Sequence, residues 1–427
     1  MRRYKKTTRS YATYLNCVSC GKEYRPDEID YTCPDCGPWA GTLEICYDYS
    51  AVKRQLTRES LRKNRDFSHW RYLPILPVNN PDFIPNLRVG WTPLYRSAMI
   101  ERELGVGSIW IKDDGQNPSA SYKDRASSVA VVRALEKGVQ TVTAASTGNA
   151  AASWALMTAL TDLEAVIFVP ERSPKAKLAQ LALYGATVLQ VKGSYDQAFD
   201  LCCQAAEKWG WYNRSTGINP YLGEGKKTGA LELCEQLNWQ PPDYLFVSVG
   251  DGCIFQGVWK GFRDLYRLGL IDRLPRMIGV QAQGSAPLVT AWETGSDRAE
   301  SIIPRTIADS ISVGSPRDQI KALKAVRESD GQFISVSDQE ILAAIRGLAR
   351  KVGVMAEPAG AAAFAGMMKI ANQCKFKTSD SIAVIVTGHG LKDIESVMHA
   401  APRQSLLVEN DLQDVADCLS RETRQFP

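Results

Sequence analysis

The sequence has no long apolar run and no large excess of charge of either sign. Its most apolar stretch, residues 150–160, is interrupted by Ser153 and Thr158 and is shorter than the roughly 18 residues that suggest a membrane-spanning helix. The 51 Lys and Arg residues nearly balance the 47 Asp and Glu residues, which leaves a net charge of +4 on 427 residues. These absences disfavour a membrane protein and a dominant nucleic-acid surface, so we expect a small-molecule partner.

The chain also begins without a recognisable secretory signal. Residues 1–10 are basic, but neither an apolar core nor a small-residue cleavage site follows them. We interpret them as a solvated basic tail. This start predicts a cytoplasmic protein.

Histidine is scarce, with only His69, His389 and His399 in the whole chain. This scarcity bears on one candidate chemistry, because Ala144-Ala-Ser-Thr-Gly148 resembles the nucleophile elbow of a serine hydrolase with its first glycine replaced. In such an enzyme Ser146 would be the nucleophile, and the chain order would permit a triad with His389. No other histidine is well placed to serve it, so we disfavour a hydrolase.

Four of the eleven cysteines form two Cys-x-x-Cys pairs separated by twelve residues: Cys17 with Cys20, and Cys33 with Cys36. Two such pairs on tight turns complete a closed, tetrahedral zinc site, which leaves no position for a reacting water. The spacing therefore predicts one structural zinc ion. The alternative is that these cysteines are simply buried or disulfide-bonded. The other seven are scattered along the chain, which favours a reducing compartment.

Short apolar runs alternate with helix-like segments from residue 108 onward, which predicts an α/β protein with parallel-rich sheets. The chain is long enough for one large two-lobed fold or for two to three domains. The predicted strands are 108–112, 141–145, 165–169, 187–191, 244–249, 276–281 and 381–387. The predicted helices are 124–137, 150–160, 173–184, 197–209, 227–237, 256–268, 338–352 and 360–369.

One lysine lies among loops that follow the predicted strands. Lys123 begins a predicted helix after Asn117-Pro-Ser-Ala-Ser-Tyr122, while Ser146-Thr-Gly-Asn-Ala150 and Gly388-His-Gly-Leu-Lys-Asp393 each follow a strand. Taken alone, Lys123 would be a surface charge. Because binding sites in such sheets lie beyond the carboxyl ends of the strands, these loops instead suggest a lysine that forms a Schiff base with an aldehyde cofactor.

A glycine-containing loop, Gly250-Asp-Gly-Cys-Ile254, follows the strand predicted at 244–249 and precedes a helix. Backbone N–H groups and a helix N-terminus at such a turn suit a phosphate. A dinucleotide site would have a third glycine closer than Gly257 and an acidic residue at the end of the next strand, where this chain has Val280-Gln-Ala-Gln283. A phosphate cup for a mononucleotide-sized cofactor fits better.

Together these segments resemble the fold-type II pyridoxal-phosphate enzymes, and within them the threonine synthases. The resemblance covers nearly the whole chain and implies a tryptophan synthase β-like fold of two α/β lobes behind a small zinc ribbon. It is carried by the lysine, glycine and cysteine motifs above together with Trp70-Arg-Tyr72, Gly90-Trp-Thr-Pro-Leu94, Asn219-Pro-Tyr-Leu-Gly-Glu-Gly-Lys-Lys-Thr228, Ala356-Glu-Pro-Ala-Gly360 and Thr387-Gly-His-Gly390.

The resemblance also implies a division of the chain and a quaternary state. Residues 1–50 would form the basic tail and the zinc ribbon, and residues 51–427 would form the catalytic region. Within that region the smaller lobe would span approximately residues 130–215. The family likeness further implies a homodimer.

The resemblance implies a cofactor site built on Lys123 as the Schiff-base lysine. Asn149 would bond the ring oxygen of pyridoxal phosphate, and Thr387 would face the pyridine nitrogen. The residues expected to surround the cofactor phosphate are Gly250, Asp251, Gly252, Cys253 and Ile254. The residues expected to bind the carboxylate of an amino-acid substrate are Ser146, Thr147 and Gly148.

The implied reaction converts O-phosphohomoserine and water to threonine and phosphate, but one motif departs from the family. Ala150 and Ala151 stand where threonine synthases commonly have two hydroxyl residues near the substrate phosphate. Four lysines are candidates to replace those contacts: Lys175, Lys177, Lys226 and Lys227. The alternative is β-elimination or β-replacement on serine, threonine or O-phosphoserine. A non-catalytic ribbon protein is disfavoured because the cofactor residues all remain.

Overall fold

The strands in the part of the chain that the structure describes lie in three separate sheets. The computed structural model describes residues 10–173, 175–193, 195–373, 376–402 and 405–425. The basic tail predicted at residues 1–10 therefore lies, apart from Ser10, outside the described residues.

The strands follow one another in chain order from the ribbon to the last sheet strand. They are β1 (Ala12–Cys17), β2 (Glu23–Tyr24), β3 (Leu43–Tyr47), β4 (Leu94–Arg96), β5 (Ser108–Asp113), β6 (Thr141–Ala145), β7 (Glu164–Pro170), β8 (Thr187–Val191), β9 (Tyr212–Asn213), β10 (Tyr244–Ser248), β11 (Arg276–Ala282), β12 (Gln332–Val336) and β13 (Ser381–Val386).

The α-helices alternate with these strands through most of the chain, and none that is described is long and apolar enough to cross a membrane. They are α1 (Gly37–Ala40), α2 (Tyr49–Gln55), α3 (Arg58–Lys63), α4 (Ala98–Leu104), α5 (Lys123–Glu136), α6 (Asn149–Thr158), α7 (Lys175–Leu183), α8 (Tyr195–Trp209), α9 (Tyr221–Gln236), α10 (Cys253–Arg267), α11 (Pro287–Glu293), α12 (Gln319–Glu328), α13 (Asp338–Val352), α14 (Pro358–Gln373), α15 (Ile394–Ala400) and α16 (Leu412–Gln425).

The largest sheet has six strands in the order β12-β11-β10-β13-β5-β4. All neighbours are parallel except β4, which runs antiparallel to β5 at one edge. Helices cover both faces: Leu245 and Val247 of β10 pack in one apolar cluster with α9 and α10, whereas Phe246 packs in another with α13 and α14. This alternation follows from the two-residue period of a strand and explains why the three successive residues 245–247 of β10 are all apolar.

A second sheet of four parallel strands has the order β8-β7-β6-β9. Apolar residues of α5 and α6 pack against β6 on one face, and residues of α8 pack on the other. The ribbon forms the third sheet, in which β1 pairs antiparallel with both β2 and β3. Its buried residues share a cluster with α9 and α10, so the ribbon packs directly on the body of the large sheet.

All seven strands predicted from the sequence are present, and each end lies at the predicted residue or one residue away. The edge strand β12 was missed because Ser335 separates Phe333 and Ile334 from Val336, so its apolar residues do not form a continuous run. The predicted helix at 227–237 begins earlier, at Tyr221, because Gly223 and Gly225 do not break it. A Cβ at Gly225 would lie 1.9 Å from the carbonyl oxygen of Arg125, so glycine here allows α9 to approach α5.

A buried ion cluster joins α5, α9 and the loop after β5. The Arg125 guanidinium bonds Asp114 at 2.6 Å and Glu232 at 2.7 Å, and the Lys112 ammonium bonds Glu232 at 2.5 Å. The side chains of all four residues are fully buried. Burial alone would raise the pKa of Glu232, but Arg125 and Lys112 hold it well below the usual range. Glu232 is therefore an anion that two buried cations require.

Replacing Glu232 by Gln should lower the resistance of the fold to heat and urea. The substitution leaves Arg125 and Lys112 without their shared counter-charge, which typically costs about 3–5 kcal/mol. Glu59→Gln is the matched control, because Glu59 pairs with Lys63 on the exposed surface of α3. Equal unfolding midpoints for the two variants, measured by circular dichroism, would show that the cluster does not hold these elements together.

Candidate functional site

A cavity of about 490 Å³ lies where the carboxyl ends of β10 and β13 meet the starts of α5, α6 and α10. It contains every residue that the sequence placed around the cofactor. Its lining includes Lys123, Asn149, Gly250, Asp251, Gly252, Cys253, Ile254 and Thr387, together with Ser310 and Glu357. Parallel strands bring these segments together because their carboxyl ends share one edge of the sheet.

Lys123 is the first residue of α5 and lines this cavity. Burial, reinforced by the nearby cations Lys226 and Arg214, lowers its pKa to about 8. A lysine near that value is partly neutral at physiological pH, as a nucleophilic or basic amine must be. The arrangement therefore supplies a reactive amine at the start of a helix.

The residues around Lys123 fix its position. Asp124 accepts hydrogen bonds from the backbone N–H of Ser119 at 2.6 Å and from its hydroxyl at 2.5 Å, which closes the first turn of α5. The N–H of Tyr122 donates to the carbonyl of Thr387 at 2.8 Å, so the helix start is joined to the loop after β13. These bonds place the ends of two neighbouring strands of the large sheet on one side of the cavity.

The Gly250–Ile254 loop connects β10 to α10 and forms the floor of the cavity. Gly252 has φ +90°, and a Cβ there would lie 2.7 Å from that of Ala322, so both its conformation and its space favour glycine. Because the first N–H groups of a helix lack intrahelical partners, the start of α10 is a site for an anion. The Asp251 carboxylate accepts a bond from the N–H of Arg317 at 3.1 Å.

Asn149, the first residue of α6, is hydrogen-bonded to two side chains that also line the cavity. Its amide nitrogen donates to Glu357 at 2.7 Å and to the hydroxyl of Ser310 at 3.1 Å. Burial raises the pKa of Glu357 to about 7, against the opposing effects of Lys392 and Asn149. Sequence reasoning assigned no role to Glu357, although its Ala-Glu-Pro-Ala-Gly motif was a signal that could have identified it.

The ammonium group of a buried lysine beside this loop makes no hydrogen bond to any residue that the structure describes. Lys226 of α9 is fully buried, and its Nζ atom has no hydrogen-bond partner among the described residues. Burial lowers the pKa of Lys226, and the neighbouring groups Cys253, Asp318 and Asp251 oppose that effect. A buried polar atom without a hydrogen bond is costly, so its Nζ suits an acceptor that a ligand supplies. The donors and charges of the cavity therefore fit a phosphate group, and the reactive amine of Lys123 fits an aldehyde.

A larger cavity of about 1490 Å³ adjoins the first and shares Lys123, Asn149 and Asp251 with it. Its lining includes the three residues predicted to bind the substrate carboxylate, Ser146, Thr147 and Gly148, at the turn before α6. The Ser146 hydroxyl accepts a hydrogen bond from the N–H of Gly148 at 3.2 Å. Polar groups on the opposite wall come from Arg214, Ser215, Ser312, Ser315 and Arg317.

Ala150 and Ala151, which stand where threonine synthases commonly have hydroxyl residues, have different surroundings. Ala150 lines the larger cavity, whereas Ala151 is fully buried in an apolar cluster with Ile167 and Leu181. Only Ala150 is therefore placed to affect a ligand. The reason is the helical period, which turns successive residues of α6 by about 100°.

The four lysines suggested as phosphate contacts also differ from one another in their surroundings. Lys227 pairs with Glu224 at 2.6 Å and with Asp264 at 2.8 Å in a buried cluster, so its suggested role as a phosphate contact is wrong. Lys177 pairs with Asp309, and Lys175 is exposed on α7. Arg214 and Arg317, which the sequence did not single out, are the arginines in the cavity wall.

The hydrolase arrangement is not formed by the described residues, because no histidine among them is hydrogen-bonded to Ser146. His69 Nε2 bonds the hydroxyl of Ser128 at 3.0 Å, and His389 Nδ1 accepts from the N–H of Leu391 at 3.1 Å. His399 is exposed on α15. Ser146 therefore has no histidine base in the described part of the chain.

The four ribbon cysteines converge. The Sγ atoms of Cys17 and Cys36 are 3.8 Å apart, as are those of Cys20 and Cys33, and all four lie within 4.8 Å of one another. A disulfide requires about 2.05 Å, so these pairs are not bonded. With Zn–S bonds of about 2.3 Å, a tetrahedral zinc site separates its sulfur atoms by about 3.8 Å.

Comparison with known proteins shows strong sequence similarity. Residues 86–388 match the family described as pyridoxal-phosphate dependent enzyme. The threonine synthase of Methanocaldococcus jannaschii is 43% identical over 401 residues, which cover 93% of this chain and 96% of that protein. The threonine synthase of Methanosarcina acetivorans is 37% identical over 399 residues, again covering 93% and 96%.

Solved structures share the fold. The processed form of threonine deaminase isoform 2 from Solanum lycopersicum superposes with a TM-score of 0.62 at 23% identity, covering 73% of this chain and 83% of that one. Maize serine racemase gives a TM-score of 0.62 at 21% identity, covering 78% and 93%. The fold-type II architecture expected from the sequence is thereby confirmed.

The amine of Lys123 should titrate near pH 8 in the protein without added ligand. Competitive acetylation between about pH 6 and 11, read by mass spectrometry against a lysine peptide with a pKa of about 10.4, measures this value. Lys226→Met removes a neighbouring positive charge but keeps the space filled, so the midpoint should move upward. Lys175→Met, on the exposed surface of α7, is the control. A midpoint near that of the peptide in all three proteins would contradict the assignment.

Proposed function

Because the chain belongs to the pyridoxal-phosphate-dependent enzymes and, within them, to the threonine synthases, we propose that it converts O-phosphohomoserine and water to threonine and phosphate. The observation that carries the chemistry is the convergence of Lys123, the glycine loop and Asn149 in one cavity. The size and polarity of the adjoining cavity suit an amino-acid substrate that carries a second anionic group.

The proposed cofactor site consists of Lys123 at the aldehyde carbon, Asn149 at the ring oxygen and Thr387 at the pyridine nitrogen. The loop of Gly250, Asp251, Gly252, Cys253 and Ile254 would hold the phosphate. When bound, pyridoxal phosphate supplies an electron sink for negative charge at the substrate Cα. The ammonium of Lys226 supports this assignment, because it has no hydrogen-bond partner among the described residues and a phosphate beside it would accept its hydrogen bond.

The hydrogen bonds of Asn149 define how it would meet the ring. Its two amide protons are directed to Glu357 and Ser310. A bond to the ring oxygen would therefore replace the bond to Ser310, while Glu357 keeps the amide oriented. The pyridine nitrogen beside the hydroxyl of Thr387 would be neutral, because a hydroxyl cannot protonate that nitrogen as fully as a carboxylic acid would.

Lys123 would move the protons of the reaction. Its lowered pKa leaves a large neutral fraction near pH 8, so the amine can accept the proton from the substrate Cα. The same group would next take a proton from Cβ as phosphate leaves Cγ, and protons would return to Cγ and Cα as water adds its hydroxyl at Cβ. Ser146, Thr147 and Gly148, at the start of α6, would hold the substrate carboxylate with hydroxyl and backbone donors.

The departing phosphate would meet Arg214 and Arg317 in the wall of the larger cavity. Ala150 offers no hydroxyl there, so guanidinium groups would replace the contacts that other family members make with hydroxyls. The second candidate function, β-elimination or β-replacement on serine, threonine or O-phosphoserine, is favoured only by that missing hydroxyl.

The remaining assignments extend this proposal to the whole chain. We propose residues 1–50 as tail and ribbon, and residues 51–427 as the catalytic region with a smaller lobe at about 130–215; the four-stranded sheet between Thr141 and Asn213 supports that lobe. We also propose a cytoplasmic homodimer. Exposed apolar residues of the C-terminal segment, Leu406, Leu407 and Leu412, support an interface, which light scattering can measure.

One parallel assay separates the two candidate reactions. The holoenzyme is given O-phosphohomoserine, O-phosphoserine, serine and threonine, and phosphate, threonine and 2-oxoacids are followed. Equal amounts of threonine and phosphate should form from O-phosphohomoserine, and Lys123→Ala should lower the rate by about 100-fold or more. Lys175→Ala, which alters an exposed residue, is the control. Formation of 2-oxobutanoate from threonine alone would overturn the proposal.

We further propose that Cys17, Cys20, Cys33 and Cys36 bind one structural zinc ion. Their sulfur spacing supports a tetrahedral site, and Cys17 and Cys33 are fully buried in the core that the ribbon shares with the body. A four-thiolate site has no open position, so it would contribute folding free energy and no chemistry.

Cys33→Ser should release the metal and lower the unfolding temperature, because thiolate–zinc bonding stabilises the folded state directly. Cys46→Ser is the matched control, since Cys46 lies in β3 of the same ribbon but outside the cluster. Elemental analysis should find one zinc per chain in the wild type and in the control. No zinc in the wild type would refute the site.

A further inference from the structure

The ribbon contacts the body at Arg317 and Asp318, the two residues that immediately precede α12. The Thr42 hydroxyl donates to Asp318 Oδ1 at 3.2 Å, and both residues are buried. The Arg317 guanidinium stacks 3.8 Å from the ring centroid of Trp39, a favourable cation–π distance. Both ribbon residues lie close in sequence to Cys36.

Backbone bonds tie Thr42 to the cysteine pairs. The N–H of Val18, between Cys17 and Cys20, donates to the carbonyl of Thr42 at 3.1 Å. The N–H of Cys33 donates to the carbonyl of Gly41 at 2.8 Å. Thr42 is therefore held by both Cys-x-x-Cys turns, and the geometry of those turns sets where its hydroxyl points.

Arg317 and Asp318 in turn support the loop that we assign to the cofactor phosphate. The N–H of Asp318 donates to the carbonyl of Asp251 at 3.0 Å, and Asp318 Oδ2 accepts from the side-chain amide of Gln256 in α10 at 2.9 Å. A Cβ at Gly252 would lie 3.2 Å from the carbonyl oxygen of Asp318, so the backbones of the two segments pack closely. A displacement of Asp318 would be transmitted to the loop and to the first turn of α10.

We propose that Thr42 and Asp318 are positioning residues through which the ribbon holds the cofactor-phosphate loop in its binding conformation. This inference rests on the proposed function, because the loop binds phosphate only if the chain takes pyridoxal phosphate. The ribbon thereby gains a role beyond folding: its hydroxyl donor and the ammonium of Lys321, 3.4 Å away, hold one carboxylate oxygen of Asp318, while Gln256 donates to the other. Loss of the donor loosens the loop without removing any group that touches the cofactor.

The test compares two threonine-to-valine variants of the same ribbon. Thr42→Val removes the donor to Asp318, whereas Thr13→Val removes an exposed hydroxyl that bonds the carbonyl of Cys46 within the ribbon. Pyridoxal phosphate is titrated into each apoenzyme and followed by absorbance, with metal content and unfolding temperature recorded. Thr42→Val should raise the Kd about 10-fold, the effect of losing one hydrogen bond to a charged group. Thr13→Val should match the wild type.

Pyridoxal, which lacks the phosphate, separates positioning from general damage. The Thr42→Val substitution should leave the Kd for pyridoxal unchanged, whereas a partly unfolded variant would bind both compounds more weakly. Thr42→Ser should restore the affinity for pyridoxal phosphate. In an Asp318→Asn background, Thr42→Val should add little, because the two residues act as one unit.

The outcomes distinguish this inference from the proposed function. If the wild type takes up no pyridoxal phosphate, the proposed function fails and the inference fails with it. If the wild type binds the cofactor and Thr42→Val binds it as tightly as Thr13→Val does, the inference alone is overturned. A loss of affinity for pyridoxal equal to that for pyridoxal phosphate would also overturn it.

Discussion

The position of the reactive lysine depends on the buried pairing of Arg125 with Asp114 and Glu232. Arg125 lies two residues after Lys123 on the same helix, so a guanidinium fixed between two carboxylates fixes the start of α5. A buried ion pair adds little net stability, because desolvation offsets much of the attraction. Its contribution here is geometric: planar, bidentate bonds define one orientation of the helix.

The site itself follows from how parallel strands end. The loop after β10 and the loop after β13 open on the same edge of the large sheet, and the helix starts that follow them supply unpaired N–H donors. Lys123, the glycine loop and Asn149 come from three distant parts of the chain. They face one cavity because the four-stranded sheet presents its own strand ends to that edge.

The ribbon is bound to the body by polar contacts as well as apolar packing. Tyr47 of β3 donates to Glu224 of α9 at 2.6 Å, and Tyr49 donates to Asp264 of α10 at 2.6 Å. These carboxylates also bind Lys227, so ribbon and body share one buried charge cluster. The loop that we assign to the cofactor phosphate lies at the start of α10, which is why the ribbon and the site are close neighbours in a chain that separates them by over two hundred residues.

The sequence alone determined what depends on local order: the period of the buried strands, the paired cysteine turns, and the lysine and glycine loops beside strand ends. It did not predict different roles for Lys226 and Lys227, or for Ala150 and Ala151, because the two residues of each pair are identical in type. The tertiary structure distinguishes them, because successive residues of a helix point in directions about 100° apart. Lys227 lies in a charge cluster and Lys226 does not, and Ala151 lies in an apolar core whereas Ala150 lines the larger cavity. The role of Glu357 in orienting the Asn149 amide likewise depends on the contact between the starts of α14 and α6, since the two residues are 208 positions apart in the sequence.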